Sequence, residues 1–113
     1  MHQHDSYFFN LMNDKPRRLA EELLEEEVVP KNLQYFNKPP LLGVETPPHQ
    51  DGYYFMLKPC HAITMWLALD TADEENGCVR YIKGSHKNGM RLHKRTSTLG
   101  FSQGIKDFGA QDD

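Results

Sequence analysis

His49-Gln50-Asp51 sets an imidazole and a carboxylate two residues apart. In an extended segment residues i and i+2 project from one face, so both side chains reach one metal ion as neighbouring ligands. A non-haem Fe(II) centre uses that arrangement: two histidines and a carboxylate on one triangular face, with positions left open for cosubstrate and oxygen. The spacing alone favours a surface histidine beside a turn-forming aspartate, because short motifs recur by chance. The flanks favour the metal. Thr46-Pro47-Pro48 imposes an extended approach, since residues ahead of proline are driven into the β region. Gly52 removes a side chain where a ligand can approach.

The other candidates carry less. His86, in Gly84-Ser85-His86-Lys87, and His93, in a basic stretch with no strand pattern around it, are the alternatives for a third ligand. His61 opens an apolar run and reads as a packed or edge histidine, while His2 and His4 lie by a chain end that frays. Cys60 and Cys78 are too few and too isolated for a disulfide scaffold or a zinc site, and Cys78 reads as a small buried hydrophobe. A reducing, intracellular and cytoplasmic setting is the expectation.

The elements that must position these residues follow from periodicity. Asp14 as cap and Pro16 in the first turn predict a helix to about Glu26, with Leu19, Ala20, Leu23 and Leu24 as its apolar stripe. The period then changes to two. Strands are expected over 32–37, 52–57, 62–69 and 78–82, the last following an Asn76-Gly77 turn that tolerates positive φ. In 62–69 one face carries Ile63, Met65, Leu67 and Leu69, and the other sets Trp66 among small residues, as a strand does when it lines a pocket with an aromatic wall. From Gly84 on, loop is expected. The fold class read from this pattern is mainly β with an N-terminal helix, part of a sandwich or jelly roll.

Composition bounds the function. The chain has 113 residues, 13 Lys and Arg against 16 Asp and Glu, and 38% hydrophobic residues, enough for one small folded domain, 1–113. The net charge of −3 argues against nucleic acid as a partner, and no aromatic-interleaved basic motif revives that reading. No stretch approaches the roughly 20 apolar residues of a membrane span, and no targeting signal is legible. Charge is nonetheless uneven, because residues 77–106 carry seven basic side chains and no acidic one. That basic segment is either a solvated surface or a rim that meets an anionic substrate.

Taken together, Thr46-Pro-Pro-His-Gln-Asp-Gly-Tyr-Tyr-Phe, Trp66, Glu75-Asn-Gly-Cys-Val-Arg-Tyr and Gly84-Ser-His-Lys resemble the phytanoyl-CoA dioxygenase family of Fe(II)/2-oxoglutarate oxygenases. The likeness extends back through Gln34-Tyr-Phe-Asn-Lys-Pro-Pro and forward through Leu99-Gly-Phe-Ser-Gln-Gly. The resemblance implies a double-stranded β-helix, with His49 and Asp51 as iron ligands and catalytic residues. It also implies that Gln34 and Trp66, with Lys38 nearby, bind 2-oxoglutarate, and that ascorbate serves as a reductant. Asp51 implies hydroxylation, because related halogenases carry a small residue there to admit halide. The reaction would consume O2, hydroxylate a small molecule such as an anionic metabolite or CoA thioester, and convert 2-oxoglutarate to succinate and CO2.

Two parts of the family pattern are not matched: the second iron-binding histidine and the arginine that pairs with 2-oxoglutarate, both expected beyond Asp113. The chain is therefore expected to be the middle of a longer oxygenase. The competing expectation is a catalytically inactive remnant acting, if at all, as a binding protein, with unpaired strand edges.

Overall fold

Asp5 starts the first helix of the computed structural model, its Oδ1 accepting the Tyr7 N–H at 2.8 Å, and α1 runs over Ser6–Asn13. The structure describes residues 1–112. Asp14 then acts twice: its N–H closes α1 on the Asn10 carbonyl at 3.0 Å, and its own carbonyl accepts the Arg18 N–H at 3.1 Å to open α2, Lys15–Leu24. Its carboxylate makes no cap and instead takes Arg18 Nη2 at 2.7 Å. The proline in the first turn of α2 costs no hydrogen bond there. Glu25 ends the helix in the left-handed region at φ 56°.

The two helices lie together. Phe8, Leu11 and Met12 of α1 and Pro16, Ala20 and Leu24 of α2 are half-buried, while Leu19 and Leu23 of the expected stripe are exposed. Glu21 holds the turn that follows, accepting Arg17 Nε at 2.8 Å and the Val28 N–H at 3.4 Å. The hydrogen bond from Arg17 keeps its carboxyl below the usual glutamate range, outweighing an opposing cost of burial with help from the Val28 N–H.

These helices belong to one of two units, made of Met1–Asn37 with His61–Trp66. The second is made of Lys38–Cys60 with the chain from Leu67 onward. It holds α3, Asp51–Phe55, and an antiparallel ribbon of β1, His93–Arg95, and β2, Gln103–Ile105, in which His93 faces Ile105 and Arg95 faces Gln103. Single 3₁₀ turns form at Ser85–Asn88 and Ala110–Asp112. The Asn76-Gly77 turn forms as expected, Gly77 standing at φ 88° and the Asp73 carboxylate accepting the N–H groups of Glu75 and Asn76.

The mainly β expectation is overturned. Among the described residues the ribbon is the only sheet, of three residues a strand, and no partial double-stranded β-helix or jelly roll is present. Residues 52–57 fall largely within α3, and 32–37, 62–69 and 78–82 pair with nothing as strands. The physical reason is that a strand is stabilised by its neighbours: an alternating pattern describes a surface that fits a sheet but does not supply one. Trp66 and Leu67 are accordingly 50% and 68% exposed, and Ile105 is the one hydrophobic side chain buried among the described residues. The ribbon itself forms where loop was expected. No described helix is long and apolar enough to cross a membrane.

Candidate metal centre

Pro47 and Pro48 carry the chain to His49 without regular structure, and α3 begins two residues later on Asp51. The bend brings the two side chains together, with His49 Nε2 3.1 Å from Asp51 Oδ1. The other ring nitrogen, Nδ1, lies 2.8 Å from the Pro47 carbonyl oxygen. A carbonyl oxygen only accepts, so Nδ1 carries the hydrogen and Nε2 presents its lone pair to a carboxylate that also only accepts. Such a contact requires a cation, or a proton on Nε2, between the two atoms. A divalent ion bound by nitrogen and oxygen at about 2.1 Å and a right angle sets its donors about 3.0 Å apart. The pair therefore fits two adjacent positions of a metal, and a backbone carbonyl on the far ring nitrogen is the usual way to fix a ligating histidine.

Gln50, between the two, is held from both sides. Its N–H donates to His93 Nε2 at 3.2 Å, its side-chain amide donates to the Gly89 carbonyl at 2.9 Å, and its Oε1 accepts the Arg91 N–H at 2.7 Å. His93 Nδ1 donates in turn to the Arg91 carbonyl at 3.0 Å, and its ring stacks on Tyr53 with centroids 4.0 Å apart. Arg91 is fastened further on, to the Asp112 carboxylate and the Asp107 carbonyl. The Gly109 N–H, with help from Arg91, holds the Asp112 carboxyl below the usual range, although burial opposes the shift. Tyr54 meets His49 edge-on at 6.0 Å and Phe101 tilts against it at 5.0 Å, while the Tyr54 hydroxyl bonds the Gln103 backbone.

The structure thus brings His49 and Asp51 together. Gln34, exposed, and Trp66, half exposed, belong to the helical unit. Lys38, in the ribbon unit, lies along the Asn76-Gly77 turn, its Cδ 3.6 Å from where a Gly77 Cβ would stand. His61 pairs with Glu26 at 2.6 Å. His93 starts β1, contrary to the expectation that no strand surrounds it, and both its ring nitrogens are engaged within the chain. Among the described residues no group of three His, Cys, Asp or Glu side chains converges as a metal site. Gly52 leaves room for a neighbour rather than a ligand, since a Cβ there would stand 2.6 Å from Cys60 Sγ and 3.0 Å from Met90 Cε. Sequence reasoning missed Gln50 and Phe101 as parts of this centre and weighed His93 only as a direct ligand, whereas it holds the Gln50 N–H; the presence of Gln50 and Phe101 in motif-bearing segments was the one hint.

The family model described as Phytanoyl-CoA dioxygenase (PhyH) matches residues 2–107. The chain belongs to the phytanoyl-CoA dioxygenase family. It is 34% identical over 93 residues to the mouse phytanoyl-CoA dioxygenase domain-containing protein 1, covering 80% of this chain and 32% of that protein. It is 44% identical over 57 residues to rice phytanoyl-CoA dioxygenase 1, covering 50% of this chain and 20% of the relative. The mouse peroxisomal phytanoyl-CoA dioxygenase is 39% identical over 61 residues, 50% of this chain and 18% of that one. The chain thus spans about a third or less of the length of these relatives. No solved structure matches it.

Proposed function

We propose that this chain carries the His49–Asp51 part of an Fe(II)- and 2-oxoglutarate-dependent dioxygenase that hydroxylates a small organic substrate, with ascorbate keeping the metal reduced. The observation that carries the reading is the 3.1 Å approach of His49 Nε2 to Asp51 Oδ1 with Nδ1 tied to the Pro47 carbonyl. Family membership supports Fe(II) and 2-oxoglutarate as the metal and cosubstrate. When bound, they supply the oxidising chemistry, in which 2-oxoglutarate becomes succinate and CO2. The chain's own residues bind and orient. Pro47 fixes the tautomer and ring plane of His49, and the Gln50 bonds hold the backbone between the ligands. Tyr54 and Phe101 shield the imidazole from water on two sides. The names of the relatives suggest an acyl-CoA thioester, an anionic substrate, as the substrate class. The assignment of Gln34, Trp66 and Lys38 to 2-oxoglutarate rests on the family resemblance.

Anaerobic titration with Fe(II) and then 2-oxoglutarate tests this reading through the metal-to-ligand charge-transfer absorption. A band that appears with the natural chain and is lost in His49→Ala is expected; its absence from a folded sample overturns assembly of an Fe(II)–2-oxoglutarate centre on this pair. A second reading, metal binding without turnover, is favoured by the absence of a three-residue cluster among the described residues. Succinate formation under oxygen separates the two.

A further inference from the structure

Among the described residues each arginine but one has a carboxylate. Arg17 pairs with Glu21, Arg18 with Asp14, Arg80 with Glu74 at 3.6 Å, and Arg91 with Asp112. Among the described residues Arg95 has none, and the segment 77–106 in which it lies contains no Asp or Glu. Arg95 ends β1 directly opposite Gln103, which begins β2, so the two side chains share a face of the ribbon. With Thr96 and Ser102 they line a cleft of about 520 Å³. The Thr96 hydroxyl is already committed, donating to the Phe101 carbonyl and accepting the Thr98 N–H. The Arg95 guanidinium, the Ser102 hydroxyl and the Gln103 side-chain amide have no partner among the described residues. The cleft therefore presents one full positive charge and several uncommitted donors.

The face matters as much as the charge. Strand alternation sets His93 on the same face as Arg95, roughly 7 Å back along β1. His93 is the ring that holds Gln50 between the candidate ligands. Lys94, opposite Gly104, lies on the other face, where Gly104 is closed off by Pro47 and Pro48. A molecule anchored on Arg95 would thus extend along the face of the ribbon that carries His93, while one attracted by Lys94 would lie on the face closed off by Pro47 and Pro48.

We propose that Arg95 and Gln103, facing each other at the end of the ribbon, form an oxyanion subsite that holds a carboxylate or phosphate of the substrate. Its role in anchoring a substrate rests on the dioxygenase reading, but anion binding itself needs no metal, so the two are tested apart. Inorganic phosphate and succinate are titrated separately into the metal-free chain while the backbone amides are followed by NMR. Saturable shifts at Arg95, Thr96, Ser102 and Gln103 are expected. Arg95→Gln should weaken binding about tenfold through loss of charge-assisted hydrogen bonds, and Lys94→Gln less than about twofold. Asp51→Asn should bind as the natural chain does. Tighter phosphate binding assigns the cleft to a phosphorylated substrate, and tighter succinate binding to a carboxylate. Equal weakening by Arg95→Gln and Lys94→Gln, or shifts that do not saturate, overturns the proposal.

Discussion

In the helical unit most polar side-chain contacts close over four to ten residues, as Arg18–Asp14, Arg17–Glu21 and Arg17–Glu27 do, with Glu26–His61 the exception. The ribbon unit has local contacts too, such as Asn76 with Asp73 and Thr96 with Phe101, but it adds a set that close over 39 to 49: Gln50 to Gly89, Arg91 and His93, and Tyr54 to Gln103. Short loops cost little entropy to close and can form one at a time, whereas the long ones are made together or not at all. The candidate metal centre pairs a local contact, His49 with Asp51 and Pro47, with braces of the second kind around Gln50 and Tyr54. Its geometry depends on the ribbon being shut, and the helices can form without it.

The largest effect should come from the ligands themselves: His49→Ala or Asp51→Ala should lower Fe(II) affinity by at least about a hundredfold in anaerobic calorimetry, more than loss of a supporting residue does. Gln50→Ala comes next. It leaves both ligands in place but removes two side-chain bonds to the ribbon. About tenfold weaker metal binding is expected, with a loss of roughly 1–3 kcal/mol of local stability read by amide exchange at Ile105 and Lys106. Arg18→Ala, in the helical unit, should change neither. If it does, the division of the chain into local and long-range parts fails.

A smaller effect tests the close approach behind the ligands. Gly52→Ala sets a methyl 2.6 Å from Cys60 Sγ and should cost about 1 kcal/mol or more in a denaturant midpoint. Adding Cys60→Ala should return part of that loss, and strict additivity would show that the contact is absent. The smallest change belongs to the helical unit. The folded-state carboxyl of Glu21 is depressed chiefly by the Arg17 hydrogen bond, so its contribution is present above the ordinary glutamate range and fades as pH falls through the depressed folded value. Glu21→Gln should lower the neutral unfolding midpoint slightly and leave the acid value nearly unchanged, flattening the acid limb.

The same contrast explains what could be read from sequence. The second helix was legible because Asp14, Pro16 and the leucines that follow are neighbours along the chain, and the Asn76-Gly77 turn because its chemistry is local. The preceding helix carried the same kind of signal in Asp5 with Phe8, Leu11 and Met12, and it was passed over as a frayed end. His49 and Asp51 were legible as a pair because their spacing is two. His93 was not, since nothing near it in the chain announces a contact with an amide 43 residues away. The β expectation failed for the mirror reason. Residues 62–69 alternate as a strand does, but alternation states what a segment fits and not what stands beside it.

The bonds from Gln50 to Gly89, Arg91 and His93 span an interval whose middle is a polar turn at Asp73–Gly77. Lengthening a loop costs only about 0.6 kcal/mol for each doubling. Extra residues at that turn should therefore be tolerated, and this is where a tag, a label or a grafted sequence can be carried. One residue added between Gly89 and His93 would put these partners out of phase with one another, so that Gln50 could not bond Gly89 and His93 together. The molecule is accordingly elastic over one stretch of its length and intolerant of slippage over another, a few residues further on.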